Sequence, residues 1–170
     1  TVTNEFGCAA FSSVSVSYSN LLFEYVDFTE PDCFNNSNGV INVYATGGVG
    51  TVSYAWSTGE TSANIDYIPA GVYTVTATDN IGCAAVEIIT LTEPSQVEAS
   101  VSVTNTCFGI CEGAATIMAS GGNDENYTFT WSNGLDGGNQ TNLCAGTYIV
   151  TVQNHNGSGY YHGAGCYEIV

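Results

Sequence analysis

The chain has 170 residues, 44% of them apolar, with 20 Gly and 3 Pro, and its 16 Asp and Glu face no Lys and no Arg, for a formal net charge of -16. That apolar fraction is too high for a disordered segment and suits a folded β-rich chain. Without Lys or Arg there is no P-loop, Schiff-base lysine, arginine finger or carboxylate clamp, and the charge repels phosphate backbones and anionic membrane surfaces.

No stretch approaches the ~20 apolar residues of a membrane span, and the opening TVTNEFGC has no charged region ahead of an apolar core. No signal peptide is visible, and the chain reads as a mature or excised piece of a longer one. TVTNEFGCAA (Thr1 to Ala10) overlays TATDNIGCAA (Thr76 to Ala85) at an offset of 75, so residues 1–20 read as the C-terminal part of a preceding repeat. Thr1 to Ser19 would present an unsatisfied strand edge, and Val14, Val16 and Tyr18 are expected to complete a neighbouring unit or another chain.

Residues 21–94 form the next repeat. FEYVDFTEPDC (Phe23 to Cys33) is its opening strand and turn, and CFNNSNGVINVYATGG carries a second strand closed by Gly47-Gly48. Val52, Tyr54 and Trp56 then alternate with Ser53, Ala55 and Ser57 before the turn at Thr58-Gly59, and VYTVTAT (Val72 to Thr78) alternates after Ala70-Gly71. Period-two runs of β-branched and aromatic residues between Gly-rich turns predict short antiparallel strands, and no helical periodicity with caps competes. The predicted fold is all-β: tandem β-sandwich repeats.

Residues 95–170 repeat the pattern, truncated in the last strand. VEASVSVTNTC (Val97 to Cys107) overlays the opening strand, and CFGICEGAATIMASGG matches from Cys107 at an offset of 74. One insertion later the offset is 75, and Trp131, Gly134, Ala145-Gly146 and Tyr148 meet Trp56, Gly59, Ala70-Gly71 and Tyr73. The last turn, NHNGSGYYHGAGC against DNIGC, is longer, and Tyr167 to Val170 match only the start of AAVEIITLTEP. Six strands per repeat would return the chain to the side it came from. Hence either a seventh short strand lies between Thr58 and Ala70 or successive repeats zigzag.

A repeat of about 75 residues buries only ~60% of its unfolded surface and needs reinforcement. Seven cysteines can supply it, at positions 8, 33, 83, 107, 111, 144 and 166. Cys33 marks the turn after the opening strand and Cys83 the turn before the last; with four strands between them both turns fall at one end. The expected bonds are therefore Cys33–Cys83 and, at the same places in the second repeat, Cys107–Cys166. Cys111 and Cys144 stand where the first repeat has Ser37 and Pro69, a joint gain that predicts a third bond between them. Cys8 is left over, with a partner expected upstream of Thr1. The C-x3-C of Cys107 and Cys111 resembles half a zinc site, but no second close pair accompanies it. Disulfides imply an oxidising, extracellular setting.

Trp56, Trp131, Tyr73 and Tyr148 recur at fixed places and are expected to be core aromatics rather than a sugar-stacking platform. His155 and His162, the two histidines, flank Tyr160 and Tyr161 on the longer turn, a candidate contact loop, since Tyr is favoured at interfaces. No catalytic constellation accompanies them, so no enzyme activity is expected. No cofactor is expected either; Ca²⁺ could offset the acidic charge, although no D-x-D-x-D-G loop occurs.

The order C-F-x4-G, GG, Y-x-W-S-x-G, P-A-G-x-Y-T-V-T-x-T-D-x-x-G-C and a TEP linker resembles the SprB-type repeats of Bacteroidota cell-surface adhesins, which are similar to PKD and immunoglobulin-like β-sandwich modules. The likeness covers Phe23 to Glu93 well and Val97 to Cys166 with departures, among them Cys144 in place of the Pro and the longer last turn. It implies a secreted protein exported by the type IX system, working in surface filaments for adhesion and gliding motility. The expected partners are neighbouring repeats or copies of the same protein and surface glycans, with no nucleic acid and no membrane insertion. A Ca²⁺-dependent or glycan-binding β-sandwich module is the alternative.

Overall fold

A computed structural model describes residues 2–3, 5–6, 9–10, 13, 18, 20–155 and 166–170. Cys8, Val14, Val16, Tyr160, Tyr161 and His162, singled out above, lie outside the described residues, and Tyr18 is exposed. Strands β1 (Val2–Thr3) and β2 (Ala9–Ala10) form a short antiparallel pair.

The first repeat comprises β3 (Leu22–Thr29), β4 (Gly39–Thr46), β5 (Ser53–Trp56), β6 (Asn64–Ile68), β7 (Gly71–Thr78) and β8 (Ala84–Leu91). They pair as two three-stranded antiparallel sheets, β3-β4-β6 and β5-β7-β8. The second repeat is built likewise from β9 (Ser95–Thr104), β10 (Gly113–Gly122), β11 (Tyr127–Trp131), β12 (Asn139–Leu143), β13 (Val150–Asn154) and β14 (Cys166–Ile169), as β9-β10-β12 and β11-β13-β14. Alternation puts one side of each strand in the core. Ile41, Val43, Ile65, Ile68, Trp56, Tyr73, Val75, Ile89 and Leu91 fill the first repeat; Val97, Ala115, Ile117, Leu143, Trp131, Val150 and Val152 fill the second.

The path between sheets differs from a simple count of strands. β4 runs away from the Cys33 turn, β5 returns half-way on the opposite sheet to Trp56, and the chain then crosses over through residues 57–63. It resumes the same direction on the first sheet as β6, which pairs Asn64 with Asn42 and Ile68 with Gly39. Thus β5 and β6 are two halves of one return leg, and only three legs separate the Cys33 and Cys83 turns. The two turns therefore lie at opposite ends of the sandwich, roughly 25 Å apart for strands of this length. The repeat is entered at one end by β3 and left at the other by β8, with six strands and no seventh.

Close backbone approach explains two glycines. A Cβ on Gly39 would meet the Ile68 carbonyl oxygen at 2.7 Å, and one on Gly113 the Leu143 oxygen at 2.8 Å. Both sit at register shifts, opposite left-handed residues Tyr67 (φ 54) and Asn142 (φ 57). A bulge thus recurs at the same place in both repeats.

Candidate functional site: the junction between repeats

The Trp of the recurring aromatic-turn phrase packs in the core of each repeat. Trp56 and Trp131 are buried, and their indole N–H groups donate to Ser62 O (2.8 Å) and Gly137 O (2.9 Å), tying the crossover to the core. Ser57 accepts from Thr74 N and Ser132 from Ile149 N through their hydroxyls, extending the ladder past the strand end. Tyr73 is buried and donates to Pro69 O; Tyr148, half-buried, donates to Cys144 O. Burial, followed by the nearby Glu60 charge, pushes the Tyr73 phenol above its ordinary range. A hydrogen bond from Thr58 holds Glu60 below its own, and a bond to Asp27 raises the exposed Tyr25.

Two buried polar side chains organise the other end of each repeat. Asp79 accepts from Val49 N, Ile81 N and Cys83 N, gathering two loops around one carboxylate. Asn154, at the equivalent place, accepts from Asn123 N and donates to Asp124 O, Asp124 Oδ1 and Asn126 O. Neither was singled out from sequence, although each is an Asx directly after the alternating run VTAT or VTVQ, in register at the offset of 75.

The cysteines correct the expected pairing. Cys33 is bonded to Cys166, with Cα atoms 5.5 Å apart, so Cys33–Cys83 and Cys107–Cys166 do not form. The reason is the shared return leg: within one repeat the two turns face opposite ways. Between repeats they meet, because β8 ends beside the Cys33 turn and β9 starts at the Cys166 end of the next sandwich. Cys111 is bonded to Cys144, both at the far end of the second repeat. Cys83 and Cys107 are free thiols, half-exposed and exposed respectively.

Hydrogen bonds surround the Cys33–Cys166 bridge. Asn123 Nδ2 donates to Asp32 O at 2.5 Å, and Cys166 Sγ lies 3.3 Å from the same oxygen. The linker is fixed to the first repeat by Thr92, which donates through N and Oγ1 to Glu30, and by Glu93, which accepts from Asn35 N. A shallow groove beside the bridge is lined by Phe34, Asn36, Gln96, Val97, Tyr167 and Glu168. His155 stands at this end of the second repeat, with Nε2 3.1 Å from Thr128 Oγ1 and its N–H donating to Asn126 O. Among the described residues no three or more His, Cys, Asp or Glu converge as metal ligands.

These features define a tandem all-β repeat whose most distinctive chemistry is the covalent joint between consecutive sandwiches. The family model described as the SprB repeat matches residues 26–61 and 99–136, running in each case from the opening strand to the turn after the Trp. Each of the two repeats is therefore similar to an SprB repeat over that segment. No curated protein and no solved structure matches it.

Proposed function

We propose that the chain is a structural and adhesive repeat module of a secreted bacterial surface adhesin or extracellular filament, working as a spacer outside the cell rather than as an enzyme. The carrying observation is the Cys33–Cys166 bridge, which joins the leaving end of one repeat to the starting end of the next beside the peptide linker. A joint held at two places fixes the orientation of successive sandwiches, which is what a load-bearing stalk needs and a soluble catalyst does not. The absence of Lys and Arg removes trypsin-like cleavage sites, and the net charge of -16 keeps neighbouring stalks apart at low salt. SprB-type repeats and disulfides both accord with an extracellular, type IX-exported setting, with neighbouring repeats or copies of the chain as partners and no cofactor.

Tryptophan fluorescence, titrated with Ca²⁺ and with a panel of sugars, tests the reading. Buried core Trp side chains predict no response; a saturable change would replace the spacer with a Ca²⁺-dependent or glycan-binding module.

A further inference from the structure

Among the described residues the two free thiols, Cys107 and Cys83, occupy the places that Cys33 and Cys166 hold in the other repeat. Cys107 opens the second repeat's CF turn as Cys33 opens the first's, at an offset of 74. Cys83 and Cys166 stand opposite equivalent residues: Cys83 O accepts from Asp79 N, and Cys166 pairs with Asn154. The Cys33–Cys166 bridge thus shows what these two positions do when consecutive repeats abut. Cys83 and Cys107 cannot satisfy each other, since they lie at the outer ends of the two sandwiches.

A second observation points the same way. Phe34, beside Cys33, lines the junction groove and is 42% exposed, whereas its counterpart Phe108, beside Cys107, is fully exposed. An aromatic side chain next to an exposed thiol, at a surface partly covered in the one junction that can be compared, marks a docking end without its occupant.

We propose that the Cys107 turn and the Cys83 turn are the two halves of one head-to-tail staple, each built to bond its counterpart on another repeat of this kind. Cys107 takes a thiol standing where Cys83 stands, and Cys83 takes one standing where Cys107 stands. The contact is heterologous, one end of a sandwich against the other end of the next, so copies add head to tail rather than as a symmetric pair. Closure releases two protons and two electrons from the thiol pair. A low-molecular disulfide such as oxidised glutathione accepts them by exchange: one thiolate attacks it to give a mixed disulfide, the second displaces the glutathione thiolate, and two reduced glutathiones leave. The inference rests on the repeat geometry and stands whether or not the module adheres to anything.

The test oxidises the full chain, carrying Cys8→Ser so that this left-over cysteine does not compete for Cys107, at high concentration with oxidised glutathione, then maps linked peptides by mass spectrometry after pepsin digestion. In one arm the chain is used at its own length, so a second copy must supply the partner. In the other it is lengthened by a second copy of residues 88–170 after Val170, so a further repeat follows in register. The expected result is a Cys83–Cys107 link between copies in excess of the two-to-one-to-one ratio that random collision gives over the two symmetric links. In the lengthened chain, Cys107 is expected to bond the Cys166 of the appended copy. A mixture of Cys83→Ser and Cys107→Ser chains should stop at dimers. Success in the lengthened chain alone supports the staple and assigns its partner to the same polypeptide. Random ratios in the first arm together with glutathione adducts at Cys107, without a bond to the appended repeat, in the second would overturn it.

Discussion

The two repeats share a path and a core plan but are reinforced differently. The first closes its far end with Pro69 and carries a carboxylate, Asp79, as the acceptor of three backbone N–H groups. The second replaces the Pro with Cys144, bonded to Cys111, and carries a carboxamide, Asn154, which both accepts and donates. In the first repeat Ile89 and Leu91 of β8 are buried, whereas the positions in register with them in the second fall after Val170.

Breaking the cores should have the largest effect. Each core contains its own Trp and shares no residue with the other. Trp131→Ala is expected to cost the second repeat about 3–5 kcal/mol, while Trp56, now the sole indole, reports the first repeat's urea midpoint as unchanged. Equal shifts would mean that the repeats unfold as one unit. Next comes reduction of Cys111–Cys144, which closes a loop with a sequence separation of 33. The chain-entropy model assigns such a loop about 3–4 kcal/mol. The double variant Cys111→Ser, Cys144→Ser should lower the second repeat's midpoint and leave the first's in place, read by the two Trp→Ala backgrounds.

Exchanging the buried Asx residues sharpens the contrast at the other end. Asn154→Asp removes three donated bonds and sets a carboxylate beside Asp124, for an expected loss of about 2–3 kcal/mol. Folding then disfavours the charged form and raises the new carboxyl's pKa. Stability should be retained at low pH and fall as pH rises through the carboxylate range; a flat pH profile of the melting temperature would contradict this. Smallest is Tyr67→Asn, which installs the residue that the second repeat already carries at φ 57. Relief of a left-handed tyrosine should raise the first repeat's stability by up to ~1 kcal/mol, and a lower midpoint would show that the phenol makes up for its backbone.

Much of this was legible in the sequence, because period-two alternation and a repeat at 75 residues report burial and strand order directly. Trp56, Trp131 and Tyr73 stand in the core for the reason their period-two alternation implies. The disulfide partners were not legible in the same way. Residues 57–63 look like any turn between strands, and nothing in STGETSA says that the chain crosses to the opposite sheet without reversing. That single ambiguity flips Cys83 to the far end and moves the bridge from within repeats to between them. Asp79 and Asn154 escaped notice because a polar residue after a strand usually signals an exposed turn, and their burial depends on loops that come from 30 residues away.

The Cys33–Cys166 bridge also determines how the molecule would respond to being pulled from its two ends. Tension entering along β3 can pass through sulfur at Cys33 and emerge at Cys166, bypassing a sequence separation of 133. The greater part of both sandwiches then lies off the loaded route, and roughly 450 Å of extended polypeptide, at about 3.4 Å per residue, stays locked in place. Such a tether would break before it paid out slack.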